Sequence, residues 1–188
     1  MTRAPAPAAS VGGDARLRLF CALALASETT ECLAAWQASS LRHGRLVPRE
    51  ALHVTLAFLG HRPASDVPVV AGELRAASAA AAPLELRVSA YRTTRSVGMV
   101  VLDDVGGAAT ALADDLAGRL ERLGLYRPER RRWLPHVTVV RFPDGGGERP
   151  APPNRCSIHV VRSALYRSSL GAGGARYEAL ETAVLGGW

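Results

Sequence analysis

Two short stretches carry residue types that could do proton chemistry: His53-Val54-Thr55-Leu56 and His136-Val137-Thr138-Val139. Each lies in an apolar run, Leu52 to Leu59 and Leu134 to Phe142, that reads as a β-strand. Side chains alternate faces along a strand, so His53 and Thr55 point to one side, and His136 and Thr138 do likewise. A single His-x-Thr among five histidines and nine threonines is ordinary, since a strand histidine is more often a packing residue. Two copies, each with Val between and an aliphatic residue after, need a chemical explanation. Imidazole titrates near pH 6.5, so one ring can accept a proton while the other donates. Threonine hydroxyls beside them can hydrogen-bond phosphate oxygens without adding charge. Phosphodiester hydrolysis uses such a set, one group taking a proton from water and the other protonating the leaving oxygen. Two histidines with no carboxylate neighbours are a poor ligand set, so no metal or other cofactor is expected.

The rest of the composition narrows this chemistry. The 188 residues suffice for one well-packed domain or two small lobes sharing a core. With 48% hydrophobic but only 5% aromatic residues, Ala, Val and Leu must supply most of that core. The net charge of +6 fits a polyanionic partner. All 23 basic residues are arginines and none is lysine, which excludes a phosphate-loop lysine, a Schiff base and a lysyl-nucleotide intermediate. Arginine still binds phosphate through its planar fork. Cys21, Cys32 and Cys156 are odd in number and widely spaced, which predicts no disulfide framework, no zinc site and a cytoplasmic location. No apolar run approaches a membrane span. Leu17 to Ala26 imitates a signal-peptide core, but Arg18 lies inside it and the run leads into a helix.

The elements that must position the two motifs follow from periodicity. Residues 1–14 read as a disordered lead-in, and 15–188 as a single domain. A strand is predicted over Arg16 to Leu25, then a helix capped by Ser27 and running to about Leu41. The first His-Thr strand should end at Gly60. A helix fits Val67 to Ala81, and two strands fit Leu84 to Tyr91 and Gly98 to Leu102. Leu112, Leu116, Leu120 and Leu123 mark an amphipathic helix stopped by Gly124. The arginine-rich segment Arg127 to Arg132 delivers the chain to the second His-Thr strand. Two last strands, Ser157 to Tyr166 and Ala175 to Leu185, follow a Gly/Pro loop. This order predicts an α+β fold with largely antiparallel sheets.

With these motifs and their flanks, the chain resembles the 2H phosphoesterases, and closely their bacterial and archaeal RNA 2′,3′-cyclic phosphodiesterase branch, also called 2′-5′ RNA ligases. The resemblance runs from Leu17 to about Leu185 and rests on Arg18-Leu19-Phe20-Cys21-Ala22-Leu23, Leu52 to Gly60, Pro135 to Arg141, Leu165-Tyr166-Arg167-Ser168 and Gly174-Ala175-Arg176-Tyr177. It implies a bilobal fold: two pseudo-symmetric lobes, helices outside, and the motifs facing across a central cleft. It further implies opening of a terminal 2′,3′-cyclic phosphate on RNA to a 2′-phosphate, without a metal. On matching positions, His53 would be the proton donor, His136 the proton acceptor, and Thr55 and Thr138 the phosphate ligands. Arg141 would neutralise phosphate, although simple alternation puts it on the face opposite His136 and Thr138, so the strand must be bulged or Arg141 must reach from the rim. Arg130 and Arg132 are candidates for the RNA path, and Phe58 and Tyr166 for base stacking. A monomer is expected. Rival readings keep the cleft but change its use: an RNA-end binding module without turnover, or the same site acting on cyclic nucleotides or in ATP-independent 2′-5′ ligation.

Overall fold

The computed structural model describes residues 15–129, 131–171 and 174–186; the lead-in expected over residues 1–14 lies outside them. The elements run β1 (Arg16–Leu25), α1 (Ser27–Ser40), β2 (Arg45–Leu46), β3 (His53–Pro63), α2 (Val67–Ala79), β4 (Glu85–Thr93), β5 (Val97–Val105), α3 (Ala108–Arg122), β6 (His136–Arg141), β7 (Val160–Gly171) and β8 (Gly174–Ala183). All strand pairs are antiparallel, in the order β4-β5-β6-β3-β1-β7-β8, with β2 on β6. The fold is therefore α+β, with three α-helices among the described residues, as the sequence predicts.

The two expected halves share one sheet. β3, β1, β7 and β8 form one half, and β4, β5, β6 and β2 the other. They meet at the β3–β6 seam through the pair Val54↔Val137, so the two His-Thr strands are direct neighbours. The core lies on the face away from the histidines. There Leu19, Cys21, Leu23, Val54 and Val137 pack with Leu74 of α2 and Leu112, Leu116 and Leu120 of α3. Burying such a leucine stabilises the fold by about 1.5–3 kcal/mol. The leucine spacing of α3 thus marks its buried stripe.

Three local expectations fail. Ser27 does not cap α1: Ala26 holds the cap position, and Ser27 instead offers its carbonyl to the Thr30 hydroxyl. Gly60 does not end β3, because its φ of 71° accommodates an irregularity beside Leu19 and the strand continues to Pro63. Cys32 and Cys156 form a disulfide, contrary to the reading of their spacing. It ties α1 to the segment before β7, where Trp36 Nε1 donates to the Ala151 carbonyl and Thr29 Oγ1 to that of Ser157. Residues 124 apart in sequence give no spacing signal for such a bond.

Candidate active site

The register at the seam decides what faces what. With Val54 opposite Val137, continuing one residue either way sets His53 across from Thr138, and Thr55 across from His136. Each histidine thus has a threonine two residues along its own strand and another opposite. The rings are held alike. Nδ1–H of His53 donates to the Ala51 carbonyl at 2.7 Å, and Nδ1–H of His136 to the Leu134 carbonyl at 2.8 Å. A carbonyl only accepts, so in the neutral rings Nε2 is the unprotonated nitrogen. Thr55 Oγ1 donates to His53 Nε2 at 3.1 Å.

Both strands bulge immediately after the threonine. Against β1, Ala57 pairs with Cys21 and Thr55 with Ala22, leaving Leu56 as the extra residue. Against β5, Val140 pairs with Gly98 and Thr138 with Met99, leaving Val139 extra. A bulge shifts the alternation by one residue. Leu56 and Ala57 on β3 and Val139 and Val140 on β6 are accordingly all buried, and the next residue returns to the cleft face. That residue is Phe58 on β3 and Arg141 on β6. Arg141 therefore lines the cleft with His53, Thr55 and Thr138. Of the two routes open to Arg141 in the sequence, the bulge is the one found. Distant residues support both bulges: buried Gln37 of α1 donates from Nε2 to the Val139 carbonyl at 2.6 Å and the Val47 carbonyl at 3.0 Å, and Trp133 Nε1 donates to the Thr55 carbonyl at 2.9 Å.

The surroundings of the two rings differ. His53 packs against Phe20, with ring centroids 4.9 Å apart, and edge-on against Tyr177 at 5.3 Å; Tyr166 stacks behind Phe20. It opens onto a cavity of about 140 Å³ shared with Arg18, Phe20, Thr138, Arg141, Ser168 and Tyr177. Burial in this aromatic layer lowers the His53 pKa from 6.5 to about 4. The bond to Ala51 opposes the shift, whereas the nearby His136 and Arg141 charges add to it. His136 opens instead onto a larger cavity of about 760 Å³ between β5, α3 and the segment before β6, lined by Met99, Tyr126, Arg131, Arg132 and Trp133.

The other sequence candidates fall out unevenly. Phe58 is 47% exposed and borders both cavities. Arg132 lines the larger one, and Arg130 lies outside the described residues. Tyr166 lines neither cavity and serves as packing beneath Phe20. Sequence reasoning gave no role to Arg18, Phe20, Ser168 or Tyr177; the alternation Arg18, Phe20, Ala22 along β1 was the available signal for the first two. Among the described residues no three His, Cys, Asp or Glu side chains come together as metal ligands.

Residues 25–151 match the family model of the 2′-5′ RNA ligase superfamily. The chain is 29% identical over 169 residues to the RNA 2′,3′-cyclic phosphodiesterase of Escherichia coli strain K12, covering 87% of this chain and 94% of that one. Among solved structures it is similar to E. coli LigT complexed with 3′-AMP, with a TM-score of 0.76, 26% identity, and 92% and 99% of the two chains covered. It is also similar to TT0787 of Thermus thermophilus, with a TM-score of 0.75, 26% identity and coverages of 91% and 99%.

Proposed function

The chain belongs to the 2′-5′ RNA ligase superfamily, and on that footing we propose that it is a metal-independent RNA 2′,3′-cyclic phosphodiesterase, a phosphoric diester hydrolase yielding a 2′-phosphate. One observation carries the reading: two imidazoles, each with Nδ1–H fixed on a backbone carbonyl, stand on neighbouring strands, His53 sharing one cavity with Thr55, Thr138 and Arg141, and His136 lying across from Thr55 on the adjoining cavity. In this mechanism Thr55, Thr138 and Arg141 hold the non-bridging phosphate oxygens. His136 Nε2 takes a proton from water as its oxygen bonds to phosphorus. The bond from phosphorus to the 3′-oxygen breaks, and His53 Nε2–H protonates that oxygen. Proton exchange with solvent resets the pair.

A donor whose pKa is about 4 carries a proton in only about one molecule in a thousand at pH 7. The bound phosphodiester anion supplies the opposite charge that the empty cleft lacks, and so raises His53 into its working range. The 3′-AMP complex of E. coli LigT supports a nucleotide as a ligand for this fold. The reading takes residues 15–188 as a single domain, which a sheet and core shared by both halves support, and keeps the expectation of a monomer. No helix among the described residues is long and apolar enough to cross a membrane. RNA ends form inside cells, so the reading carries a cytoplasmic location; the Cys32–Cys156 disulfide argues the other way, and alkylating the thiols at lysis decides it.

The test is a 2′,3′-cyclic-phosphate oligonucleotide incubated with protein in EDTA, with the product phosphate located by chemical or enzymatic mapping. A 2′-phosphate is expected, with kcat falling at least about a thousandfold in His53→Ala and in His136→Ala. Full activity in either variant overturns the mechanism. Tight binding without turnover makes the chain an RNA-end binding module. Turnover confined to cyclic nucleotides, or a 2′-5′ diester formed with a 5′-hydroxyl end, replaces the substrate or direction instead.

A further inference from the structure

The smaller cavity holds one more cation than the proposed reaction uses. Arg141 and Arg18 both line it, and among the described residues no carboxylate pairs with either. A cyclic phosphodiester carries one negative charge, and Arg141 stands beside Thr138 to meet it. Arg18 comes from elsewhere in the sheet. It lies four residues along β1 from Ala22, the partner of Thr55, or about 13 Å of strand. Its side chain lies over Phe58, with the guanidinium carbon 4.7 Å from the ring centroid. Nη1 donates to Ser168 Oγ at 3.1 Å, and Ser168 is buried. Its remaining N–H donors have no protein acceptor among the described residues, and the planar fork suits a phosphate.

We propose that Arg18, fixed by Ser168 and Phe58, forms a second phosphate subsite, for the phosphate on the 5′ side of the terminal ribose. The idea rests on the hydrolase reading above and deepens it. The cyclic phosphate sits between the histidines, the nucleoside spans Phe58, and Arg18 meets the next phosphate along the chain. The chain then selects RNA ends over simple nucleoside 2′,3′-cyclic phosphates by charge count rather than by base identity. Arg18 stacked on a ring for packing alone would give no such selection.

Two measurements separate this idea from the hydrolase reading. First, the affinities of adenosine 2′-monophosphate and adenosine 2′,5′-bisphosphate are compared by calorimetry, which needs no turnover. Second, kcat/KM is compared for a nucleoside 2′,3′-cyclic phosphate, its 5′-phosphorylated form and a dinucleotide with the same end. The added phosphate should improve both by about ten- to a hundredfold, as a charge-assisted contact does. Arg18→Gln should bring the ratio close to one, and Arg18→Lys should restore part of it, with thermal melting confirming that both variants fold. A terminal 5′-phosphate that helps as much as the dinucleotide link locates the effect in the phosphate itself. A ratio near one in the unaltered protein, or a ratio that survives Arg18→Gln, overturns the subsite. If nothing is hydrolysed but the bisphosphate preference exists and depends on Arg18, the hydrolase reading fails and the subsite stands.

Discussion

The His53 pKa makes a claim about stability that can be tested without substrate. An unfolded chain binds a proton at this histidine near pH 6.5, whereas the folded chain resists protonation until about pH 4. Above pH 6.5 both states are neutral here and nothing is lost. As pH falls from 6.5 towards 4, the unfolded state gains a proton that the folded state cannot take, so folding weakens progressively. Each unit of pKa difference is worth about 1.4 kcal/mol, which sets the total at no more than about 3.5 kcal/mol. The Nε2 edge faces the cleft, and water there trims the figure. For a chain of this length that is a fall in Tm of up to about 6–12 °C. The control is His53→Asn, whose amide cannot titrate. Melting curves of both proteins at half-unit steps from pH 7.5 to 4 should diverge only below about 6.5, with the histidine protein losing more. Adding adenosine 2′-monophosphate should shrink the divergence, because a bound anion raises the His53 pKa. Parallel pH profiles for the two proteins would refute the claim that burial keeps this ring neutral, and with it the argument for loading by substrate.

Three further outcomes follow from the supports. Gln37→Leu removes hydrogen bonds to the buried Val139 carbonyl and the part-buried Val47 carbonyl, at a cost of about 1–3 kcal/mol in urea unfolding, and lets the β6 bulge relax so that KM for cyclic-phosphate RNA rises; an unchanged KM would disconnect the bulge from Arg141. Tyr91→Phe should be neutral or stabilising by about 1 kcal/mol, because the buried Tyr91 hydroxyl has no partner among the described residues, and clear destabilisation would mean the hydroxyl is bonded in solution. Cys156→Ser, or reductant on the unaltered protein, should lower stability by about 2–5 kcal/mol, and a Tm indifferent to reductant would show that the Cys32–Cys156 bond does not form in solution.

The His-x-Thr pair and the alternation of strands and helices were legible because both depend on periods of two and about 3.6, which sequence displays directly. What it concealed was every feature set by a distant partner. The bulge after Thr138 is held by Gln37, 102 residues away, and by Val47, so simple alternation aimed Arg141 at the wrong face. The matching bulge on β3 brought Phe58 into the equivalent slot, which no count of residues reveals. The disulfide is of the same kind. Gly60 read as a strand end, yet a glycine with positive φ also permits an irregularity within a continuing strand. Ser27 read as a cap from its type, but the chain turns into the helix one residue earlier.

The repeated bulge also bears on how the reaction acquires a direction. Histidine, threonine, bulge and cleft residue recur on β3 and β6 with the same backbone anchors, so the main chain treats the two imidazoles as equivalent. Only their neighbourhoods break the tie: an aromatic wall against His53 and an open basin beside His136. In the proposed reaction, which ring gives and which takes is then a matter of local dielectric. Repainting that wall with polar side chains could reverse the proton's course while leaving every strand in place.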